Sequence, residues 1–436
     1  MENNTAVPFY DTLPDSDRKK YSRYAICAAC FNCFGDLLQD SSAVLILFYL
    51  AIGAGNGLTM FQTAVYGIAS MLLQIPMSGY GAKTGAKQCI RKSAYIAFVS
   101  YILMVLAPCF GGFGKYWALL CFTGYCIARV LWTTGWFPLL TFILKPEERP
   151  GFIGTMRFCY SLVIGVVFFL VGIFMKNNTP LWVLQIIILC TGFLTFMRWF
   201  CIRKIPAPEK PETVHFELVK GIRESLRNAP LVMYSVYACF VILTAAAISP
   251  LVILYAKQYL QLPDGQVQIL STVTLAGNVV GYIFFSRVRK HLGSATLQIC
   301  CHLFFILIPM TLALTGKHVP QVAWIVGVQL FMCNLVWAFF YAGFSTEMLA
   351  LAKPGNATIS TGICQTYQML GTAGGRTFVS LMLGANILSA HWNYHGIDIS
   401  SFQSLFIILA GIALFSLILI PCMPCLIPKH EDYYNP

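Results

Sequence analysis

Apolar stretches recur along the whole chain and are separated by short polar segments. Each stretch is close to or longer than the ~20 residues that an α-helix needs to cross the hydrocarbon core of a bilayer. Several contain proline or glycine, which lipid-embedded helices tolerate because neighbouring groups satisfy the freed backbone atoms. The pattern predicts twelve transmembrane helices, at residues 24–51, 57–80, 92–112, 116–143, 152–175, 180–202, 231–257, 266–287, 294–315, 320–349, 357–388 and 402–427.

The composition agrees with an all-α membrane protein. Of the 436 residues, 58% are hydrophobic and 11% are charged, and the mean hydropathy is +0.70. A soluble protein is about 25% charged, so this chain has too little polar surface for water and needs the lipid bilayer as its solvent. The net charge of +12 comes from basic residues in short loops, which is typical of membrane topology and argues against a nucleic-acid partner.

The distribution of basic residues predicts the orientation of the chain. Of the 29 lysines and arginines, 23 fall in segments on the side of the N-terminus and 4 on the opposite side. The remaining two, Arg129 and Arg376, lie inside predicted spans. Basic loops stay in the cytoplasm, so we expect both termini to be cytoplasmic, in a plasma or bacterial inner membrane.

The longest polar segment divides the chain into two halves of six spans. It covers residues 203–230, begins with a proline-rich stretch, and continues with an amphipathic stretch that we expect to lie along the membrane surface. Gly85 and Gly293, each after an even-numbered span, differ by 208 positions, as do the starts of the first and seventh spans. We therefore predict duplicated bundles at residues 1–202 and 231–436, with a binding site between them near the midplane.

The segment between the second and third spans is short, glycine-containing and basic. Its basic and glycine positions include Lys83, Gly85, Lys87 and Arg91. This segment resembles the loop that latches neighbouring helices on the cytoplasmic side in the major facilitator superfamily, and the architecture of residues 20–428 is similar as well. The resemblance implies two parallel six-helix bundles, transport by alternating access, and a gating role for this loop. The family's acidic residue is replaced by Ala82, which puts the gating salt bridge in question.

A more limited similarity points to the sugar–cation symporter branch of that family. In that branch an acidic residue in the first span and an arginine early in the fifth span contact the sugar. The matching positions here are Asp36 or Asp40 and Arg157. Arg157 lies one or two turns inside the fifth span, so a cytoplasmic anchor is its alternative role.

Three ionisable residues lie deep in predicted spans. Asp36 and Asp40 are one turn apart on the first span, and Arg129 is on the fourth. At ~1.5 Å per residue, Asp36 and Arg129 are each roughly 20 Å from a membrane face, at similar depth near the midplane. The family resemblance implies that the first and fourth spans both line the central cavity, so we expect a contact between the two side chains. Charges at this depth are functional candidates, and the hypothesis is that an aspartate binds H⁺ or Na⁺ while Arg129 modulates its affinity. The alternative is a fixed buried pair that orients two helices.

Polar and aromatic residues on the presumed cavity helices complete the candidate solute site, because pockets for polar solutes combine amides with aromatic faces. They are Gln39, Gln62, Trp132, Asn278, Asn334, Trp337, Gln365 and Tyr367. Each has an alternative role in helix packing. Arg376 either attracts an anionic solute or extends to the outer interface. His391 and His395 are interpreted as interfacial residues, and no metal site is predicted.

These features favour a secondary active transporter for a small polar solute, either sugar-like or an organic anion, coupled to H⁺ or Na⁺. No phosphate-binding loop of the Gly-x4-Gly-Lys-Ser/Thr type occurs, so ATP coupling is not expected. We expect a monomer without a cofactor. The alternatives are a non-transporting sensor or scaffold with the same fold and, less favoured, a membrane-embedded enzyme.

Overall fold

The computed structural model describes residues 9–40, 42–145, 148–207, 218–351, 357–389, 391–394 and 397–420. Within these residues the fold consists of fourteen α-helices, two short 3-10 helices and one β-hairpin. The first-half helices are α1 (Asp15–Asp40), α2 (Val44–Ala51), α3 (Asn56–Thr84), α4 (Ala86–Val105), α5 (Gly114–Ile143), α6 (Arg149–Phe174) and α7 (Leu181–Ile202). The others are α8 (Leu218–Arg227), α9 (Ala229–Gln258), α10 (Asp264–Leu292), α11 (Ser294–Leu314), α12 (Val322–Leu351), α13 (Ala357–Gly384) and α14 (Ser401–Leu417).

Each predicted span coincides with at least one of these helices, and two spans are divided. The first span is split into α1 and α2, which end and begin on either side of residues 41–43. The third span is α4 followed by a 3-10 helix at Ala107–Phe113, where Pro108 and the positive φ of Gly111 interrupt the regular helix. The all-α class is confirmed, and both helix breaks were missed by the sequence analysis.

Eight of the described helical segments are long and apolar enough to cross a membrane, and a ninth is counted if α1 and α2 form one broken span. The remaining predicted spans correspond to α4, α13 and α14. Basic side chains lower the hydropathy of α4, and polar residues lower that of α13. The helix α14 has 17 residues, and the end of its predicted span, residues 421–427, lies outside the described residues.

Helix boundaries recur at the offset of 208 that the two glycines suggest. The bounds of α3 and α10, and likewise of α5 and α12, differ by 208 at both ends, and the starts of α4 and α11 and of α6 and α13 differ by the same number. Gly85 and Gly293 have φ values of 85° and 79°, in the region that favours glycine. The two halves thus share helix lengths and the same turn.

The chain forms two compact units. Unit 1 comprises residues 1–39, 72–167 and 181–214, and unit 2 comprises residues 40–71, 168–180 and 215–436. An apolar core in unit 1 joins α1, α5, the start of α6 and the end of α7, and one in unit 2 joins α9, α11 and α12. Two first-half segments therefore belong to the unit that contains the second half, although the predicted duplication places its boundary at the linker.

Two elements in the connections differ from a purely helical membrane bundle. Strands β1 (His391–Tyr394) and β2 (Ile397–Ser400) form an antiparallel hairpin, which the sequence reading missed. His391 is therefore in a strand, whereas His395 lies outside the described residues. Within the linker, α8 packs on α13 through a 2.9 Å contact between the hydroxyls of Ser225 and Ser360.

Close packing of α10 on α12 predicts the effect of enlarging Gly281. A Cβ atom at this position would lie 2.7 Å from the carbonyl oxygen of Leu335 and 2.6 Å from the Cβ of Ala338. We expect Gly281→Leu to lower the free energy of unfolding by about 1–3 kcal/mol, measured by thermal unfolding in detergent. Gly165→Leu on α6 is the matched control, since a Cβ at Gly165 meets nothing within 4 Å. Equal stability of the two variants would contradict this packing.

Candidate functional site

The predicted contact between Asp36 and Arg129 is present in unit 1. The Nε atom of Arg129 on α5 lies 3.0 Å from Oδ1 of Asp36 on α1. The side chain of Arg129 is 13% exposed and that of Asp36 is 18% exposed. Both are therefore largely removed from solvent, and each retains a small accessible surface. A carboxylate in such surroundings requires a partner, and Arg129 provides it.

Three hydrogen-bond donors surround the Asp36 carboxylate. The hydroxyl of Tyr125 donates to Oδ1 at 2.9 Å, and Nδ2 of Asn32 donates to Oδ2 at 2.8 Å. The third donor is Arg129, whose Nη1 also donates to Oε1 of Gln39 at 3.0 Å. The site thus joins α1 and α5 through one carboxylate and one guanidinium group. The other predicted acid, Asp40, is an exposed residue at the end of α1.

A second arginine, which the sequence analysis only counted among the basic residues on the side of the N-terminus, is buried beside this pair. Arg198 on α7 is 1% exposed; it donates through Nη1 to Oδ1 of Asn32 and through Nη2 to Oγ of Ser93 on α4, at 2.6 Å for the latter. Its guanidinium carbon lies 4.7 Å from the ring centroid of Trp132. The sequence analysis did not identify Arg198 as a site residue. The available signal was Thr191, which with Arg198 marks a polar face on an apolar helix at i, i+7 spacing.

Among the predicted solute-site residues, Trp132 is the aromatic residue that the structure brings to this cluster. It is 4% exposed, contacts Arg198, and stacks on Trp136 with ring centroids 4.8 Å apart. Arg157, also in unit 1, is half-buried on α6. Neither observation tests a role in solute binding, so that role stays a prediction.

The other candidates lie in unit 2. Gln62 on α3 is 1% exposed, and its amide atoms have no partner among the described residues. Asn334 on α12 donates to Oγ of Ser249 at 3.2 Å, and Trp337 stacks on Tyr341. The half-buried members of the set are Asn278 on α10 and Gln365 and Tyr367 on α13.

Arg376 on α13 is held by backbone carbonyl groups. Its Nε donates to the oxygen of Ala246 at 3.0 Å, and its Nη1 donates to the oxygen of Thr63 at 2.7 Å. These bonds join α13 to α9 and α3 within unit 2. The side chain therefore acts as a helix staple in this structure, a role that neither sequence-based alternative included.

The glycine- and lysine-containing loop between α3 and α4 contacts the end of α7. Nζ of Lys87 donates to the carbonyl oxygens of Arg203 and Ile205, at 3.0 and 2.8 Å, and partial burial lowers the pKa of this ammonium group. Lys83 and Arg91 are exposed. Lys87 thus satisfies backbone oxygens at a helix end, a typical role for lysine.

The corresponding loop of the second half has an acidic partner that the sequence analysis missed. Glu347 on α12 is 5% exposed, accepts a hydrogen bond from Oγ of Ser294 at 2.6 Å, and lies 3.5 Å from Nη2 of Arg289. The acid comes from a neighbouring helix and not from the loop itself. A sequence motif confined to the loop has no position for it.

First-half segments of unit 2 pack on α10 and α13. At the break before α2, the backbone N–H of Ala43 donates to Oε1 of Gln268 at 2.9 Å and to Oγ of Ser271 at 3.0 Å. The backbone N–H of Thr179 donates to Oδ2 of Asp264 at 2.7 Å. Polar side chains at the start of α10 thus satisfy backbone N–H groups of two first-half connections.

Glycine permits the closest of these approaches. A Cβ on Gly57 of α3 would lie 2.5 Å from the Cα of Gly384, and one on Gly67 would lie 3.2 Å from the Cβ of Ala373. Oγ of Ser380 donates to the carbonyl oxygen of Gly57 at 2.8 Å. The contact of α3 with α13 therefore depends on small residues and backbone atoms, a common mode of helix packing in membranes.

Comparisons with known proteins identify the family. The model of the Major Facilitator Superfamily matches residues 25–375. Similar solved structures include the nucleoside transporter NupG, with 11% identity and a TM-score of 0.68 over 94% of this chain and 99% of that one. A D-xylose-proton symporter is similar with 13% identity and a TM-score of 0.71, over 92% of this chain and 97% of that one. A bacterial homologue of the iron transporter ferroportin is also similar, with 12% identity and a TM-score of 0.63 over 96% of this chain and 99% of that one. No curated protein is significantly similar in sequence.

The chain belongs to the Major Facilitator Superfamily, because the match covers most of its length. It is a multi-pass membrane protein and a secondary transporter, not an enzyme. The solved structures share its fold at low identity, so they do not define its solute. The described residues contain no group of three or more His, Cys, Asp or Glu side chains arranged to hold a metal ion.

The burial of Arg198 predicts a stability effect. Arg198→Met removes the donor to Asn32 and Ser93, and should lower the free energy of unfolding by about 2–3 kcal/mol, since hydrogen bonds to charged groups are individually worth about 1.5–3 kcal/mol. Thermal unfolding in detergent measures this change. Arg203→Met is the control, because Arg203 is exposed and surface changes typically stay within about 0.5 kcal/mol. Two equally stable variants would show that the buried contacts contribute nothing.

Proposed function

We propose that this transporter moves a small polar solute in symport with H⁺ and that Asp36 carries the proton. The observation that carries the proposal is the ion pair of Asp36 with Arg129, at 3.0 Å and with both side chains partly accessible. Protonation neutralises the carboxylate and weakens its attraction for Arg129. A proton taken up at this position therefore changes a contact between α1 and α5.

The surroundings of Asp36 favour H⁺ over Na⁺. The described partners of its carboxylate are the N–H and O–H donors of Arg129, Tyr125 and Asn32. A hard metal cation requires several oxygen ligands, and a guanidinium group at 3.0 Å repels it. A proton needs one acceptor atom, which the carboxylate supplies.

The contacts of α3 with α13, and of residues 42–43 and 179 with α10, support alternating access. With both termini in the cytoplasm, these contacts are on the exterior side. We propose that they form the closed exterior gate and that they open once per cycle. They consist of hydrogen bonds and small residues, so little apolar surface has to be exposed when they separate.

Substitution of the two aspartates tests the coupling. In proteoliposomes under an imposed pH gradient, Asp36→Asn should lower gradient-driven accumulation of solutes from a polar panel by about tenfold or more, because an amide does not take up the proton. Asp40→Asn should retain solute accumulation driven by the pH gradient, since Asp40 is exposed at the end of α1.

A sodium gradient applied separately should drive nothing in the parent chain. Unchanged proton coupling in both variants would remove the role of Asp36. A parent chain that moves no solute under either gradient would favour the sensor or scaffold alternative.

Cross-linking tests the exterior gate. A Cβ atom on Gly67 would lie 3.2 Å from the Cβ of Ala373, so a shift of a few tenths of an ångström brings Gly67→Cys and Ala373→Cys to the separation of about 3.5–4.5 Å that a disulfide requires. Oxidation should stop transport by this double variant, and a reductant should restore it. The controls are the single variants Gly67→Cys and Ala373→Cys, which cannot form this disulfide and should transport equally under both conditions. Transport that continues through a cross-linked Gly67–Ala373 pair would show that this contact does not open.

A further inference from the structure

The polar cluster around Asp36 has more positive than negative charge. Among the described residues, the cluster contains one carboxylate, that of Asp36, and two guanidinium groups, those of Arg129 and Arg198. The other titratable groups facing Asp36 are Cys33 on α1, Tyr101 on α4 and Tyr125 on α5. Arginine is always charged in proteins, so the cluster carries a net charge of about +1 with an ionised Asp36, and about +2 with a protonated one.

Two buried N–H groups of the cluster lack an acceptor among the described residues. They are Nε2 of Gln39 and Nε of Arg198. Gln39 is 7% exposed, and its Oε1 is already occupied by Arg129. An unsatisfied buried donor is costly, so a ligand with an acceptor atom gains by meeting it. A carboxylate offers acceptor sites alone, whereas each sugar hydroxyl also brings a donor.

The two arginines differ in access and in the kind of partner they hold. Arg198 is 1% exposed and binds the neutral side chains of Asn32 and Ser93, so its contacts do not depend on a proton. Arg129 is 13% exposed, and its ionic partner Asp36 is titratable. A solute that reaches this site therefore meets Arg129 beside the amide nitrogen of Gln39.

We infer, building on the proposed function, that the solute is a small organic anion and that its carboxylate binds to Arg129 and Gln39. The proton and the anion enter together. The proton binds an Asp36 carboxylate oxygen and ends the ion pair with Arg129, and the solute carboxylate replaces Asp36 as the counterion of Arg129. Release of both on the other side restores the original pair. One positive and one negative charge cross per cycle, so transport of a monoanion is electroneutral.

Binding to the purified full-length chain in detergent tests the charge requirement without any gradient. The probes are acetate, lactate, benzoate and nicotinate, each compared with its own amide, and the readout is the shift in thermal unfolding with ligand concentration. At least one carboxylate should bind about tenfold or more tightly than its amide, as expected for a lost charge-assisted contact. The absence of any carboxylate–amide difference across the panel overturns the inference.

Gln39→Glu places a negative charge beside Arg129 and should weaken binding of that carboxylate by about tenfold or more. Gln88→Glu is the matched control, because it adds the same charge at an exposed position on α4. Gln39→Leu removes the donor without adding charge, and should weaken binding less than Gln39→Glu. Equal affinity in Gln39→Glu and Gln88→Glu, with both folded by elution volume, overturns the assignment of Gln39.

Transport at a fixed pH gradient separates this inference from the proposed function. With the membrane potential set by potassium and valinomycin, carboxylate uptake should change less than about twofold between zero and inside-negative potential, because no net charge moves. Proton-driven uptake of neutral solutes that accelerates at negative potential would leave the proposed function standing and overturn the inference. Selective carboxylate binding without a response to the pH gradient would overturn the proton coupling of the proposed function and leave the carboxylate site at Arg129 and Gln39 standing.

Discussion

The low dielectric of a lipid-embedded interior is the constraint on which this structure depends. A charge there needs a partner, and a backbone group needs an acceptor or donor from the protein. The pair of Asp36 and Arg129 satisfies the first requirement and joins α1 to α5. Gln268 and Ser271 satisfy the second, because they accept from Ala43 where the first span is broken. The same physical rule thus explains both polar regions, one in each unit.

Alternating access places an upper limit on how strongly mobile contacts may hold. Each hydrogen bond contributes about 0.5–1.5 kcal/mol net, and small residues allow close approach without a large interlocking core. The contact of α3 with α13 has this character, with Gly57, Gly384 and Ser380 at its centre. By contrast, the apolar core of α9, α11 and α12 is built of large buried side chains such as Phe305 and Phe340. In the proposed cycle, the first kind of contact opens and the second stays closed.

Hydropathy and spacing predicted the helices and the offset of 208, because each depends on length or period along single helices. The meeting of Asp36 with Arg129 was predicted from their similar depth together with the family resemblance, which implies that both helices line one cavity. The break between α1 and α2 was missed, since the polar residues Gln39, Asp40 and Ser42 were included in one long predicted span. Arg198 was missed because it lies near the end of α7, where an arginine is as easily a surface residue as a buried one. Its burial is decided by Asn32 and Ser93 on other helices, and a single sequence does not specify such tertiary contacts.

The two arginines of the cluster show how one type of side chain takes two roles. Arg198 is enclosed by neutral partners and Trp132, so its charge is a permanent part of the site at any physiological pH. Arg129 faces a carboxylate whose charge is removed by one proton. A permanent positive charge raises the cost of bringing a second cation to Asp36, and it lowers the cost of admitting an anion. In the proposed cycle Arg198 keeps its charge, so the proton on Asp36 alone decides whether Arg129 needs another counterion.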